Sequence, residues 1–190
     1  MRRFIDSLLG RTRTEPPKGE RLFAMATAHV TLQTSLGLEP DRMAGITFRP
    51  VSSGYFEQAA EELNQLLEIS TQQSAATFRT TTDNFGFDWI ILDDADFEDM
   101  VATIHVVSTT LMEHQFGDRI LAAVFRFKDR NGRSVYWFYN FRQGAYYPFI
   151  PTGKQQRDNA EEMRLANLMG RELPVEKELE RWYPMWEIPF

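Results

Sequence analysis

Arg119-Ile-Leu-Ala-Ala-Val-Phe-Arg-Phe-Lys128, Ser134-Val-Tyr-Trp-Phe-Tyr-Asn-Phe141 and Ala145-Tyr-Tyr-Pro-Phe-Ile150 are three runs dense in aromatic and β-branched residues. Such side chains fit a pleated surface, so the spacing predicts a three-stranded antiparallel meander. Turn residues separate the runs, at Asp129 to Arg133 and at Arg142 to Gly144. Asn131-Gly132 tolerates the positive φ that a tight reversal needs.

Upstream of the meander the pattern alternates between helix and strand. Glu20 to Leu36 reads as a helix stopped by Gly37, although Ala28, Val30 and Leu32 also alternate as a strand would. Met43 to Val51 reads as a strand closed by Pro50, which lacks a backbone donor. Ser53 to Ile69 has helical spacing, with Tyr55, Phe56, Ala59, Ala60, Leu63, Leu66 and Leu67 on one face. Ala75 to Thr82 and Phe87 to Leu92 read as strands around a turn at Asp83 to Gly86. Asp94 or Asp96 can cap the next helix. Its predicted buried face is Phe97, Met100, Val101, Ile104, Ser108, Leu111 and Met112, and Gly117 is its predicted stop.

Downstream, Pro151 to Gln156 reads as a loop. Asp158 to Glu161 resembles a capping box for a helix running to Met169, with Gly170 after it. The expected class is α+β, one domain with a mainly antiparallel sheet and helices on one face. The order strand, helix, strand, strand, helix, strand also fits the ferredoxin-like βαββαβ pattern, with an added C-terminal hairpin and helices. The expected division is a basic amphipathic segment and linker over 1–19, an α+β domain over 20–172, and an aromatic-rich tail over 173–190 that packs on the domain.

Composition narrows the function. The chain has 190 residues, 43% of them hydrophobic with 15 Phe and 4 Trp, enough for a substantial core. The net charge of -6 argues against general nucleic-acid binding, which needs a basic footprint. There is no cysteine, which removes disulfides, thiol nucleophiles and Cys-ligated zinc. No apolar run is long enough to span a membrane, and the apolar core of the basic N-terminus is too short for a signal peptide. Residues 1 to 13 hold Arg2, Arg3, Arg11 and Arg13 against Asp6, a local charge of +3 that leaves -9 for the rest. Phe4, Ile5, Leu8 and Leu9 share one face of a short helix there, which suits docking to a lipid surface or a partner.

Candidate chemistry is sparse. His105 and His114 lie nine positions apart on one helix, hence on opposite faces, and His29 is remote in sequence. The acidic group Asp88, Asp93, Asp94 and Asp96 has hard-cation ligands but lacks the glycine and distal glutamate of an EF-hand loop. Thr152-Gly153-Lys154 is not a phosphate loop, because Pro148 stands where its first glycine belongs and Gln155 follows the lysine. Lys154, Arg157 and the following helix start could still hold an anion. Ser52-Ser53-Gly54 is not a nucleophile elbow. Trp182, Tyr183 and Trp186 either staple the tail to the domain or form an exposed binding patch. No catalytic, cofactor-binding or metal residue is assigned.

Several stretches taken in order carry a resemblance. They are Phe4-Ile-Asp-Ser-Leu-Leu-Gly-Arg11, Leu22-Phe23-Ala24, Phe48-Arg49-Pro50, Asp83-Asn-Phe-Gly-Phe-Asp-Trp89, Arg142-Gln143-Gly144, Tyr147-Pro148-Phe149, Arg157-Asp-Asn-Ala160, Leu173-Pro-Val-Glu176 and Arg181-Trp-Tyr-Pro-Met-Trp186. In this order they resemble the PspA-associated protein PspAB family. The resemblance implies a cytoplasmic accessory protein, close to the inner face of the membrane, that works with PspA, a coiled-coil membrane-remodelling protein of the envelope-stress response. It implies no cofactor and no enzymatic role. The expected partners are a PspA-like coiled coil, the membrane surface through the N-terminal segment, and an HtpX-type membrane protease, with no nucleic acid. The expected contacts are Phe4, Ile5, Leu8, Leu9, Trp182, Tyr183 and Trp186. Two alternatives stay open: an adaptor of the protease, and a small-ligand or metal-binding domain or enzyme using the Asp88 to Asp96 loop or the Lys154 and Arg157 corner.

Overall fold

A computed structural model describes residues 19–50, 54–72 and 76–190, and gives the backbone alone for 54–57 and 70–72. Glu20–Phe23 forms a 3-10 turn that leads into helix α1, Ala24–Thr34. Strand β1 is Glu39–Phe48, α2 is Gly54–Gln72, β2 is Thr77–Thr82 and β3 is Asp88–Asp93. Helix α3, Phe97–Glu113, precedes the meander of β4, Ile120–Lys128, β5, Ser134–Asn140, and β6, Ala145–Phe149. A small hairpin of β7, Pro151–Gly153, and β8, Gln156–Arg157, leads into α4, Asn159–Met169.

The six long strands form one antiparallel sheet in the order β2-β3-β1-β4-β5-β6. The fold is α+β, as the residue pattern predicts. Placing β3 between β1 and β2 is the interleaving of the split βαβ pattern, and β5 and β6 extend the sheet beyond β4.

The helices α1, α2 and α3 lie on one face of the sheet. Alternation sends Ala44, Ile46, Ile90, Leu92, Phe125, Phe127, Trp137 and Tyr139 to that side, against Met25, Leu32, Leu63, Leu67, Ile104 and Val107. The opposite alternation, Trp89, Ile91, Val124, Tyr136, Phe138, Tyr147 and Phe149, is equally apolar. Trp182, Met185, Trp186, Ile188 and Phe190 cover it. A sheet apolar on both faces must be covered on both, and here an irregular tail forms the second layer.

Four local expectations need correction. Strand β1 starts at Glu39, not Met43, and ends at Phe48, not Val51. Its register shifts between Pro40 and Ala44, where Arg42 has φ 55°, so a bulge absorbs the proline. Asp41 then pairs with Arg126 at 2.6 Å and Lys128 at 2.9 Å on β4, which holds the bulged end of the strand to its neighbour. Second, α3 does not run to Gly117. It stops in a Schellman motif in which the Phe116 N–H donates to Leu111 O and the Gln115 N–H to Met112 O, with Gln115 at φ 66°. Third, Met112 is exposed, and Val107 and Thr110 are buried on α3 beside the expected residues. Fourth, Pro151 to Gln156 is a hairpin whose turn residues Lys154 and Gln155 both have positive φ.

Both helix caps form, but the reciprocal half of the expected capping box does not, because the Asp158 N–H donates to Ile150 O and the Glu161 carboxylate pairs with Arg164. The Asp96 carboxylate accepts from the N–H groups of Glu98 and Asp99, and Asp158 accepts from that of Glu161. Gly37 takes φ 67° just past α1, as its stop requires.

Candidate functional site

Helix α4 and the chain that follows it frame an open cleft with a largely apolar lining. The feature begins at Asp158. Its carboxylate accepts from the Glu161 N–H at 3.1 Å and from Arg133 Nη1 at 2.9 Å, so the helix start is tied to the β4–β5 turn. The Glu161 N–H and then the Arg133 guanidinium hold the Asp158 carboxyl below the usual carboxylate range.

The β7–β8 hairpin returns Arg157 to the same helix. Its Nε donates to both carboxylate oxygens of Glu162, at 3.0 and 2.8 Å. Nη1 donates to Trp182 O at 2.8 Å and Nη2 to Pro148 O at 3.4 Å. The guanidinium also sits 4.9 Å from the centroid of the Phe149 ring. Glu162 is only 1% exposed and accepts the Ile150 N–H at 2.7 Å. Burial pushes its carboxyl up, and the Ile150 N–H and Arg157 oppose that. Arg157 is therefore a structural rivet between hairpin, helix, sheet and tail, with its donors already engaged.

After α4 the chain crosses back as a strap. Tyr146 donates its N–H to Pro174 O and accepts from the Glu176 N–H, both at 2.8 Å, in a parallel bridge. That contact caps the β6 edge of the sheet. The indole Nε1 of Trp182 donates to Glu176 O at 3.0 Å, and its ring stacks on Tyr147 at 6.2 Å. Burial pushes the Tyr147 hydroxyl up despite the Arg157 charge.

Between α4 and the strap lies a cleft of about 690 Å³, lined by Arg21, Ala145, Met163, Ala166, Asn167, Gly170, Val175, Leu179 and Trp182 among others. A recess of about 290 Å³ shares Met163, Leu179 and Trp182 with it. Met163, Asn167 and Gly170 stand at i, i+4 and i+7, one stripe of the helix. Met163 is 42% exposed and Leu179 52% exposed. A groove with an apolar floor, exposed Met and Leu side chains and a polar rim suits an amphipathic helix from a partner.

The other sequence candidates disperse. His29 Nδ1 donates to Ala26 O at 2.8 Å beside the Phe97 ring, and His105 packs against Phe23. His114 meets Glu62 at 2.7 Å. Asp88 accepts from Thr82, Asp93 pairs with Arg42, Asp94 accepts from the Asp96 N–H, and Asp96 caps α3. No group of three His, Asp or Glu among the described residues could hold a metal. Lys154 is exposed at the hairpin tip, while Arg157 is committed to Glu162, so the two bases do not make one free corner. Ser52 and Ser53 lie outside the described residues, as do Phe4, Ile5, Leu8 and Leu9.

Trp182 is buried, and Trp186 meets the Phe149 ring edge-on at 5.3 Å. Tyr183 stands between them, 57% exposed, with its carbonyl accepting from Tyr147. The stapling reading therefore describes both tryptophans, and Tyr183 alone of the three faces outward.

Sequence reasoning missed Met163 and Leu179. A signal existed for the first: Met163, Leu165, Ala166, Leu168 and Met169 spread too far around one helix for a single buried stripe. Leu179 sits inside the charged run Glu178 to Arg181 and gives no periodic sign. No helix among the described residues is long and apolar enough to cross a membrane.

The family model described as PspA associated protein B (PspAB) matches residues 2–190. No curated protein and no solved structure matches the chain.

Proposed function

The chain belongs to the PspAB family, and from that premise we propose that it is a non-enzymatic accessory protein that binds a PspA-like coiled coil through the groove between α4 and the strap. The family description ties the chain to PspA. The groove supports the finer reading. It presents exposed Met163 and Leu179 above the buried Trp182, and the chain of a coiled coil is an amphipathic helix whose apolar stripe suits such a floor. The place of action in this reading is the cytoplasmic side of the membrane, where the basic N-terminal segment adds attraction to anionic lipid.

Single substitutions Met163→Glu and Leu179→Glu test it. Both side chains are substantially exposed, so the fold should tolerate the change within about 0.5 kcal/mol. A central apolar contact in an interface carries about 2 kcal/mol or more, so affinity for the PspA-type coiled coil should drop more than about tenfold in a titration at physiological salt. Unchanged affinity in both variants would remove the groove as the docking site.

A further inference from the structure

We propose that two copies of this chain join by antiparallel pairing of their β2 edges, with Thr81 of one copy facing Thr81 of the other.

The first support is the contrast between the two ends of the sheet. The order β2-β3-β1-β4-β5-β6 leaves β2 and β6 as its edges. The strap caps β6 through the bridge between Tyr146 and Val175. Among the described residues no strand pairs with the outer side of β2. Proteins blunt such an edge with proline, lysine or a bulge. Thr77-Phe-Arg-Thr-Thr-Thr82 has no proline and no lysine, and its register with β3 steps evenly from Thr77 to Thr82. Its β-branched threonines favour an extended strand, and Thr77, Arg79, Thr80 and Thr82 are exposed.

The second support is self-complementarity. The Asp83 N–H donates to Phe87 O, so the odd-numbered residues turn their backbone groups towards β3, and Phe78, Thr80 and Thr82 turn theirs outward. A two-fold axis perpendicular to the sheet sets one residue opposite itself. With Thr81 on that axis, Thr80 of each copy exchanges backbone hydrogen bonds with Thr82 of the other. Arg79 of each copy then stands opposite Asp83 of the other. Both side chains lie on the tail side of the sheet, where Arg79 Nη2 donates to Pro189 O and Asp83 accepts from Phe85, Phe87 and Trp89. The guanidinium has further N–H groups and the carboxylate a further lone pair to offer. Placing Arg79 on the axis instead would oppose like charges, and placing Thr80 there would set Arg79 against Thr81 and give up both ion pairs. The α4–strap groove borders Ala145 on β6, at the opposite end of the sheet, so the pairing does not touch it and gives the assembly two such grooves.

The chain has no cysteine, so single cysteines report the register. A self-opposed pair that exchanges no backbone bonds has Cα atoms about 4.5 Å apart, within the span of a disulfide. Thr81→Cys in the full chain should therefore give a disulfide-linked dimer under mild oxidation. Thr77→Cys, roughly 26 Å from its counterpart in this register, should not. In the cysteine-free chain, sedimentation equilibrium should show a mass that rises with concentration from one chain towards two. Arg79→Asp sets two carboxylates opposite each other and should raise the dissociation constant about tenfold. Thr80→Pro removes an outward donor, a loss that an edge strand tolerates, and should leave the mass of one chain. A one-chain mass of the parent at every concentration, equal linkage through Thr77→Cys and Thr81→Cys, or a dimer that both Thr80→Pro and Arg79→Asp leave intact overturns the proposal. If the parent stays a single chain while Thr80→Pro weakens binding of the coiled-coil protein, the edge takes a strand from another partner and self-pairing falls.

Discussion

The ring of Phe190 lies so close to the backbone of Gly45 that a Cβ on that glycine would stand 2.7 Å from the ring's Cε1. Phe190 also meets Trp89 edge-on at 5.9 Å, and its carbonyl accepts from the Tyr136 hydroxyl at 3.3 Å. The tail is thus seated in a notch that exists because β1 lacks a side chain there.

Gly45→Ala should push Phe190 out of that notch and cost about 1–2 kcal/mol, the range for overpacking a closed site. Urea unfolding measures it. In a Phe190→Ala background the same substitution should cost almost nothing, since the clash is gone. Equal costs in both backgrounds would show that the ring does not occupy the notch.

Arg157→Gln leaves the Glu162 carboxylate buried without its charge partner and frees the Trp182 and Pro148 carbonyls. Removing one member of a buried pair costs about 3–5 kcal/mol. Adding Glu162→Gln should recover a large part of that loss, because the stranded charge is then absent. Chemical denaturation of the two variants decides it, and no recovery in the double variant counts against the rivet.

Asp158 gives a pH signature. Its carboxyl is held below its ordinary value of 3.8 by the Glu161 N–H and by Arg133. A carboxyl with a depressed folded pKa adds stability that is fully present above the unfolded value and is lost as pH falls through the folded one. Asp158→Asn keeps the cap and removes the charge, so at neutral pH it should cost about 0.5–1 kcal/mol. The gap to the parent should close as pH falls below about 4. A gap that stays constant into acid would place the effect elsewhere.

Gln115 holds φ 66° at the end of α3, a conformation that costs a non-glycine residue about 1 kcal/mol. Gln115→Gly should raise the thermal midpoint, net of the extra freedom glycine gives the unfolded chain. A lowered midpoint would mean that the Gln115 side chain contributes more than the strain costs.

Much of the fold was legible because periodicity and turn chemistry are local. The meander, the caps at Asp96 and Asp158 and the stop at Gly37 all follow from short windows in which neighbouring residues agree. Strand β1 was misplaced because Pro40 and the polar pair Asp41-Arg42 mask a bulge whose partners, Arg126 and Lys128, lie far along the chain. Likewise nothing near Arg157 announces that its charge will be spent on Glu162 and the Trp182 carbonyl.

The sequence by itself determined the meander, β2, β3 and most helix boundaries, while the consecutive run Trp89-Ile-Ile-Leu92 carries the mark of a second apolar sheet face that the expectation of helices on one face did not use. Only the tertiary structure decided what covers the second face, and where a groove remains. Residues 173–190 have no period to read, because an irregular strap packs through individual side chains and carbonyls rather than through one repeating face. Their places are set by contacts with residues distant in the sequence, Gly45, Arg79, Tyr136 and Tyr147 among them, and such contacts are properties of the folded arrangement rather than of any local stretch.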